Sequence, residues 1–278
     1  MEKSPGVFSR HPLAILFGLF LIAYISVFAM FSREGHPHSQ SEGIDANALP
    51  FSVHLLNVDL ARGTATFTLQ PDLASPALAS KGRLNEEIAV EVDTGTLVLA
   101  HKFKKHDSPG PWSVTVPIDD GDVLDYPFDQ HHGSFLVQVK SESHPAAQAN
   151  LQMDKIMHGF VATAHSEALE DKTQIEMSFQ IKRSPAVIFL ALMAMLALTL
   201  IVLSAVVVAK HVAINGRKVE FSMLVWIAAL LFVIPSVRNG LPGSPPFGAL
   251  VDIALFFWLQ IIGVGALLAV VSRWRNSA

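Results

Sequence analysis

The sequence contains no cysteine among its 278 residues. Disulfide bonds and thiolate metal sites are therefore excluded, and any part outside the cytoplasm must be held together by its hydrophobic core alone. The glycosylation pattern Asn-x-Ser/Thr is also absent,. Both absences favour a bacterial envelope protein.

The sequence also lacks the local motifs of common catalytic sites. It has no G-x-S-x-G, no phosphate-binding G-x-x-x-x-G-K-[ST], no G-x-G-x-x-G after a strand and no H-E-x-x-H,. A Ser-His-Asp triad assembled from distant residues stays open, because its members need not be neighbours in the sequence. We expect a protein that is not an enzyme and has no nucleic-acid partner.

Charged residues are missing from four apolar runs, although they make up 16% of the chain. Each run reaches or approaches the roughly 20 residues needed to cross about 30 Å of hydrocarbon. The predicted transmembrane helices are residues 12–31, 185–209, 221–237 and 253–271. The first exceeds the about 7 to 15 apolar residues of a signal-peptide core, so we expect an uncleaved signal anchor; cleavage after Ala29 is the alternative.

The remaining charges orient these helices. Residues 1–11, 210–220 and 272–278 hold seven Lys or Arg against two Glu, a net charge of +5. Residues 32–183 hold 12 basic against 21 acidic residues, a net charge of −9. The positive-inside rule then predicts a multi-pass protein of the cell membrane, with both termini cytoplasmic and the long segment outside.

The long segment divides into a linker and a β domain. Residues 32–50 are polar and lack periodicity, which is typical of a linker. Apolar and polar residues alternate afterwards, as in residues 64–69 and 174–181, which predicts half-buried strands,. We expect about eight, near residues 51–59, 63–70, 86–93, 96–103, 112–117, 134–141, 156–165 and 173–182. The predicted fold class is therefore membrane α-helical plus all-β, with an extracytoplasmic antiparallel β-sandwich inserted between helices one and two.

Residues 238–252 form a Pro- and Gly-rich seam between the last two apolar runs. Prolines fix the backbone and glycines permit sharp bends, so a loop of defined shape is expected on the outer side. Asp252 is suited to cap the last helix, and we expect Arg238 to pair either with Asp252 or with an acidic loop of the outer domain. A plain interfacial turn with two charged ends is the alternative interpretation.

Two clusters carry residue types that bind metals. Five aspartates lie within residues 119–129, and carboxylates around a turn glycine suit a hard cation such as Ca²⁺,. Neighbouring histidines suit Zn²⁺ or Cu²⁺. The candidate ligands of a divalent cation are Asp119, Asp120, Asp122, Asp125, His131 and His132. A solvated acidic turn and scattered surface histidines are the alternatives, and no other cofactor is expected.

Several stretches resemble an uncharacterised membrane-protein family, numbered 4436 among domains of unknown function. They are SVHLLNVDLARGTATFTL (residues 52–69), DYPFD (125–129) and IPSVRNGLPGSPPFGALVDIALFFW (234–258). The resemblance covers nearly the whole chain. It implies a multi-pass membrane protein with an extracytoplasmic domain and supplies no activity.

Two stretches also resemble pentameric ligand-gated channels. Residues 126–129 (YPFD) are similar to a loop at the foot of the extracellular domain, and residues 179–189 (FQIKRSPAVIF) to the strand entering the first channel span. The resemblance implies that Asp129 couples to Arg183. The chain departs from the channels in its span count and in lacking a polar pore-lining stripe.

These observations predict a non-enzymatic binding, sensing or scaffolding module in the membrane. Its expected partners are the lipid bilayer and either another membrane or envelope protein or further copies of itself. An extracytoplasmic metal-binding protein and a channel-like protein are the alternatives. The predicted coupling residues between the outer domain and the helices are Asp129, Arg183, Arg238 and Asp252.

Overall fold

The computed structural model describes residues 49–76, 78–141, 149–154, 156–157, 159–169 and 174–276, together with residues 25 and 29. The predicted first helix, residues 12–31, otherwise lies outside the described residues, as does most of the linker. The strands are β1 (Leu49–Asp59), β2 (Thr64–Pro71), β3 (Ala79–Ser80), β4 (Arg83–Leu84), β5 (Ile88–Asp93), β6 (Val98–Phe103), β7 (Trp112–Pro117), β8 (Gln130–Ser141), β9 (Ala149–Asp154), β10 (Ile156–Met157), β11 (Phe160–Ala168) and β12 (Gln174–Arg183). The helices are α1 (Pro185–Ala213), α2 (Phe221–Asn239) and α3 (Phe257–Asn276), the last preceded by a π-helical turn (Asp252–Phe256).

The described strands form two larger sheets and one short hairpin. One sheet has four strands in the order β7-β2-β1-β9, and the other has six in the order β10-β11-β12-β8-β5-β6. The period of two along each strand explains the pairing, because it places one apolar face toward a common interior. In β12, for example, Ile175, Met177, Phe179 and Ile181 are all buried.

Both larger sheets contribute to a single hydrophobic cluster. The ring of Phe67 in β2 lies 5.4 Å from that of Phe135 in β8 and 5.0 Å from that of Phe179 in β12. Each such aromatic pair contributes about 0.5–1.5 kcal/mol beyond the area that it buries. The β domain therefore has a core of its own, without disulfides.

The strand pattern differs from the prediction in two respects. Strand β9 and the β3–β4 hairpin were not among the eight expected strands, and β1 pairs with β9 in parallel. All other neighbouring pairs in the described sheets are antiparallel. Strands β1 and β9 are far apart in the sequence and no tight hairpin joins them, so no turn imposes the antiparallel direction.

Three helices in the described part of the chain are long and apolar enough to cross a membrane: Pro185–Ala213, Phe221–Asn239 and the continuous segment Asp252–Arg275. They pack on one another through two clusters of buried side chains, one at each end. Large apolar side chains also point outward, among them Leu200 at 59% exposure and Phe232 at 77%. Apolar surface of this kind in water would be an association liability.

The sheets and helices are joined without a linker. Strand β12 ends at Arg183, and α1 begins at Pro185 with Ser184 as its N-cap. The Ser184 hydroxyl accepts a hydrogen bond from the Val187 N–H at 3.3 Å. A proline in the first turn loses no helical hydrogen bond, so the strand passes directly into the helix.

A proline inside α2 explains why α3 carries a glutamine, Gln260, that faces α2. Pro235 lacks the N–H that would bond to the Leu231 carbonyl four residues earlier,. The side-chain amide of Gln260 donates to that carbonyl at 3.5 Å. Neighbouring helices commonly satisfy backbone groups that a proline frees in an apolar environment. Gln260 therefore joins α2 to α3 at the point where the α2 ladder is interrupted.

Candidate functional site

The candidate site is the contact between the β domain and the loop that joins α2 to α3, and we call it the junction. The β domain contributes Tyr126, Asp129, His131 and Arg183. The helical part contributes Arg238, residues 240–251 and Asp252. All four predicted coupling residues lie here, in two separate ion pairs.

The first ion pair joins two residues of the β domain. The Arg183 Nε donates to both carboxylate oxygens of Asp129, each at 3.0 Å. Their side chains are only 3% and 0% exposed. A buried pair is costly to desolvate, so it persists only when the geometry is good and further hydrogen bonds complete it.

His131 supplies one of those further hydrogen bonds. Its Nε2 lies 3.0 Å from Oδ2 of Asp129, and its side chain is 2% exposed. Burial alone would raise the pKa of Asp129, but the hydrogen bond from His131 and the charge of Arg183 together hold it below its ordinary value,. His131 and Arg183 therefore both favour the charged form of Asp129.

Aromatic rings enclose the cation of this pair. The guanidinium carbon of Arg183 lies 5.1 Å from the centre of the Tyr126 ring and 4.8 Å from that of Phe160. Cations within about 6 Å of a ring face are attracted by the ring quadrupole. Arg183 is therefore fixed by the carboxylate of Asp129 and by these two rings.

The second ion pair closes the α2–α3 loop. Arg238 donates to Asp252 from Nε at 2.8 Å and from Nη2 at 2.6 Å. The same guanidinium donates to the carbonyls of Pro245 at 3.0 Å and Pro246 at 2.7 Å, and the Gly248 N–H donates to Asp252 at 2.8 Å. A bidentate pair with this many additional bonds gives the loop a single shape.

Tyr126 connects the two halves of the junction. It follows a short 3₁₀ turn (Val123–Asp125), and the Tyr126–Pro127 peptide bond is cis. Its hydroxyl donates to the Pro242 carbonyl at 2.9 Å. Its ring is fully buried in the cluster formed by side chains of the helices and the α2–α3 loop, and burial raises the pKa of its hydroxyl to about 12.

Gly243 lets the two halves approach closely. Its φ is +77°, a conformation that residues with a side chain rarely adopt,. A Cβ atom on Gly243 would also overlap Nη1 of Arg183. The backbone of the loop therefore lies directly against the buried guanidinium of the β domain.

The six predicted metal ligands are not brought together. Among the residues that the structure describes, no three His, Asp or Glu side chains form a group able to hold a metal. Three of the aspartates accept backbone hydrogen bonds instead: Asp119 from Ser134, Asp120 from Gly121 and Asp122 from Leu124. Asp125 is exposed in the 3₁₀ turn.

The two histidines point to different partners. His131 is directed into the junction toward Asp129, whereas His132 lies on the outer face with Nε2 2.9 Å from the Gln180 amide. Adjacent residues of a strand face opposite sides of the sheet, and this separates the pair. In the described residues these side chains therefore form no common ligand set.

The sequence did not predict that Tyr126 and His131 lie in the junction. The pattern D-Y-P-F-D identified the loop but not the direction in which its tyrosine points. The inward position of His131 follows the alternation of β8, which begins at Gln130. That alternation was the available signal.

Residues 40–180 match the model of a family described as domain of unknown function DUF4436. The chain belongs to this family. A second family model, domain of unknown function DUF8686, matches residues 183–277. No curated protein matches the chain.

The two matches divide the chain at the end of β12. The DUF4436 match covers the β domain alone, so the resemblance expected over nearly the whole chain is corrected: the seam falls in the DUF8686 match. Tyr126 and Asp129 lie in the first match, and Arg183, Arg238 and Asp252 in the second. The junction therefore joins the segment that matches DUF4436 to the segment that matches DUF8686.

Proposed function

We propose that this chain is a multi-pass membrane protein in which an extracytoplasmic β-sandwich is fixed rigidly to the transmembrane helices. It acts as a non-enzymatic binding, sensing or scaffolding module that transmits the state of the outer domain to the helices. The observation that carries the proposal is Tyr126, a β-domain residue that is fully buried in the cluster formed by the helices and their loop.

The helices support a membrane location. Three described segments meet the length and apolarity of a span, and their large exposed side chains suit lipid tails,. At the end of the helices remote from the β domain the charged groups are mostly basic, namely Lys210, Arg217, Lys218, Arg273 and Arg275. At the near end Arg183 and Arg238 are each paired with an aspartate. The positive-inside rule associates the remote, basic end with the cytoplasm. The apolar run at residues 12–31 adds the fourth proposed span, with both termini in the cytoplasm.

Reporter fusions test this topology. A reporter that is active only outside the cytoplasm is fused after residue 100, 214 or 278. Activity is expected only for the first fusion. Activity at either of the other positions would contradict the arrangement, whereas a cytoplasmic reporter should give the complementary result.

Rigid attachment is supported by the direct passage from β12 to α1 and by the two buried ion pairs. A Tyr126→Phe variant tests it, because it removes one hydrogen bond to the Pro242 carbonyl and leaves the ring in place. A loss of about 0.5–1.5 kcal/mol in unfolding free energy is expected.

Coupling should also appear as a structural change in the helices. Protease accessibility of the α2–α3 loop is expected to increase in Tyr126→Phe, although the substituted residue belongs to the β domain. Phe128→Ala is the matched control, since Phe128 lies in the same loop but is 56% exposed. Equal effects of the two substitutions would argue against a specific mechanical link.

The channel-like alternative has one specific observation in its favour, the contact between Asp129 and Arg183 that the resemblance implies. It predicts a pentamer and ion flux in liposomes. Mass photometry of the detergent-purified chain separates the alternatives, because a monomer or dimer would exclude the channel-like assembly.

A further inference from the structure

A cavity of about 440 Å³ lies between α1 and α2 at the end remote from the β domain. Its polar lining consists of His211, Arg217 and Ser222, and its apolar lining includes Val207, Met223 and Trp226. The two kinds of lining come from successive positions along the helices. His211, Arg217 and Ser222 lie toward the α1–α2 loop, and Val207 and Trp226 lie about one helical turn further from it, four positions from His211 and Ser222 respectively.

Positive charge is concentrated around this cavity. Lys210 and Lys218 flank it in the sequence. Arg273 of α3 donates to the Val212 carbonyl at 3.5 Å, which brings a further cation to the same end of α1. Glu220 is the only acidic residue between positions 207 and 226, and it accepts a hydrogen bond from Ser222 at 3.4 Å. The local balance favours an anion.

The cavity is open at its apolar side. Val207 is 53% exposed and Trp226 is 40% exposed. Tryptophan is enriched where a membrane meets water, because its ring is apolar and its N–H is polar. In the proposed topology this opening lies at the cytoplasmic boundary of the bilayer, where phospholipids surround it.

We propose that this cavity binds the phosphate group of an anionic membrane phospholipid. Arg217 and His211 hold the phosphate, and Ser222 donates a hydrogen bond to it in exchange for its contact with Glu220. Val207, Met223 and Trp226 contact the start of the acyl chains. The inference rests on the proposed topology, because the cavity must lie at the inner membrane boundary.

Quenching of Trp226 by brominated lipid tests the proposal. The full chain retains Trp226 as its sole tryptophan after replacement of Trp112, Trp258 and Trp274 by Phe, and is reconstituted into phosphatidylcholine vesicles. Brominated phosphatidylglycerol is then compared with brominated phosphatidylcholine at the same low mole fraction. Association of the anionic lipid is expected to be about fivefold stronger, as for a basic residue acting on an anionic headgroup.

Two matched variants separate a defined site from general attraction. Arg217→Gln and Arg275→Gln each remove one positive charge at the same end of the helices, but only Arg217 lines the cavity. Arg217→Gln is expected to abolish the preference for the anionic lipid, whereas Arg275→Gln should change it by less than about twofold. Equal losses in both variants would overturn the site. Unchanged circular dichroism shows that each variant is folded.

The remaining outcomes show whether the bound phosphate belongs to a lipid or is free. They also separate a failure of the lipid site from a failure of the proposed topology. Inorganic phosphate at the concentration of the labelled lipid is expected not to relieve quenching; relief would overturn the assignment to a lipid. Equal quenching by both brominated lipids would overturn the site and leave the topology standing. Absence of quenching by either lipid would overturn the topology itself and this inference with it.

Discussion

Five aspartates lie within residues 119–129, and the last of them, Asp129, behaves differently from the other four. Asp119, Asp120, Asp122 and Asp125 are crowded in the sequence, are not buried, and three of them accept hydrogen bonds from backbone N–H groups. Asp129 stands four residues further on and is buried between Arg183 and His131. The density of carboxylates along the sequence is therefore a poor guide to the site, whereas burial with a partner identifies it.

The largest expected difference between Asp129 and the other four aspartates is in the stability lost when each is replaced. Asp129→Ala leaves the buried cation of Arg183 without its carboxylate, and removal of one partner from a buried pair costs about 3–5 kcal/mol. Thermal or denaturant unfolding of the full chain in detergent measures the loss. Asp125→Ala is the control, since its side chain is exposed. Similar losses in the two variants would show that the buried partners of Asp129 do not set it apart from the exposed Asp125.

A double-mutant cycle sharpens the comparison by assigning that loss to a contact. Asp129→Ala and Arg183→Met are expected to be non-additive, with an interaction energy of about 2 kcal/mol, because the two side chains are in direct contact,. The pair Asp129→Ala and Arg238→Ala should also be non-additive but less so, since Tyr126 and the loop connect them only indirectly. Strict additivity in the second cycle would show that the two ion pairs act independently.

The pH dependence of stability provides a third comparison. The pKa of Asp129 is lower in the folded protein than in the unfolded chain, because His131 and Arg183 favour its charged form over the opposing effect of burial. Its contribution is complete above the unfolded value of about 3.9 and is lost as the pH falls through the folded pKa. The stability gap between the native chain and Asp129→Asn should therefore narrow below about pH 4.

All other carboxylates titrate in both the native chain and Asp129→Asn, so their contributions cancel in the difference in unfolding free energy. Asp125→Asn is the matched variant, and its gap to the native chain is expected to stay small at every pH. A gap for Asp129→Asn that stayed constant down to pH values well below 4 would show that the carboxylate of Asp129 is not stabilised by its partners.

The sequence predicted local features better than long-range contacts. Apolar runs and the period of two mark helices and strands directly, since each is a property of neighbouring residues. Arg238 and Asp252 could be paired because they end and begin adjacent helices. Asp129 and Arg183 came together only through a resemblance, because 54 residues separate them and no local pattern links them.

The inward position of Tyr126 had no sequence signal at all. Its burial depends on how the foot of the β domain meets a loop more than 100 residues later, and its hydrogen bond to Pro242 spans 116 positions. The parallel pairing of β1 with β9 was not predicted from the sequence for the same reason. Contacts of this kind arise from the packing of whole units and not from composition.

The smallest expected effect concerns the acidic turn. The native chain should melt at the same temperature with and without millimolar Ca²⁺ or micromolar Zn²⁺ or Cu²⁺, because a cation stabilises only what it binds in the folded state, and these side chains form no common ligand set,. A combined variant, Asp122→Asn with Asp125→Asn, should show the same absence of response. If metal raised the melting temperature of the native chain and this variant abolished the rise, the acidic turn would be a metal-binding site. Burial with a partner would then not be what separates a functional aspartate such as Asp129 from the others.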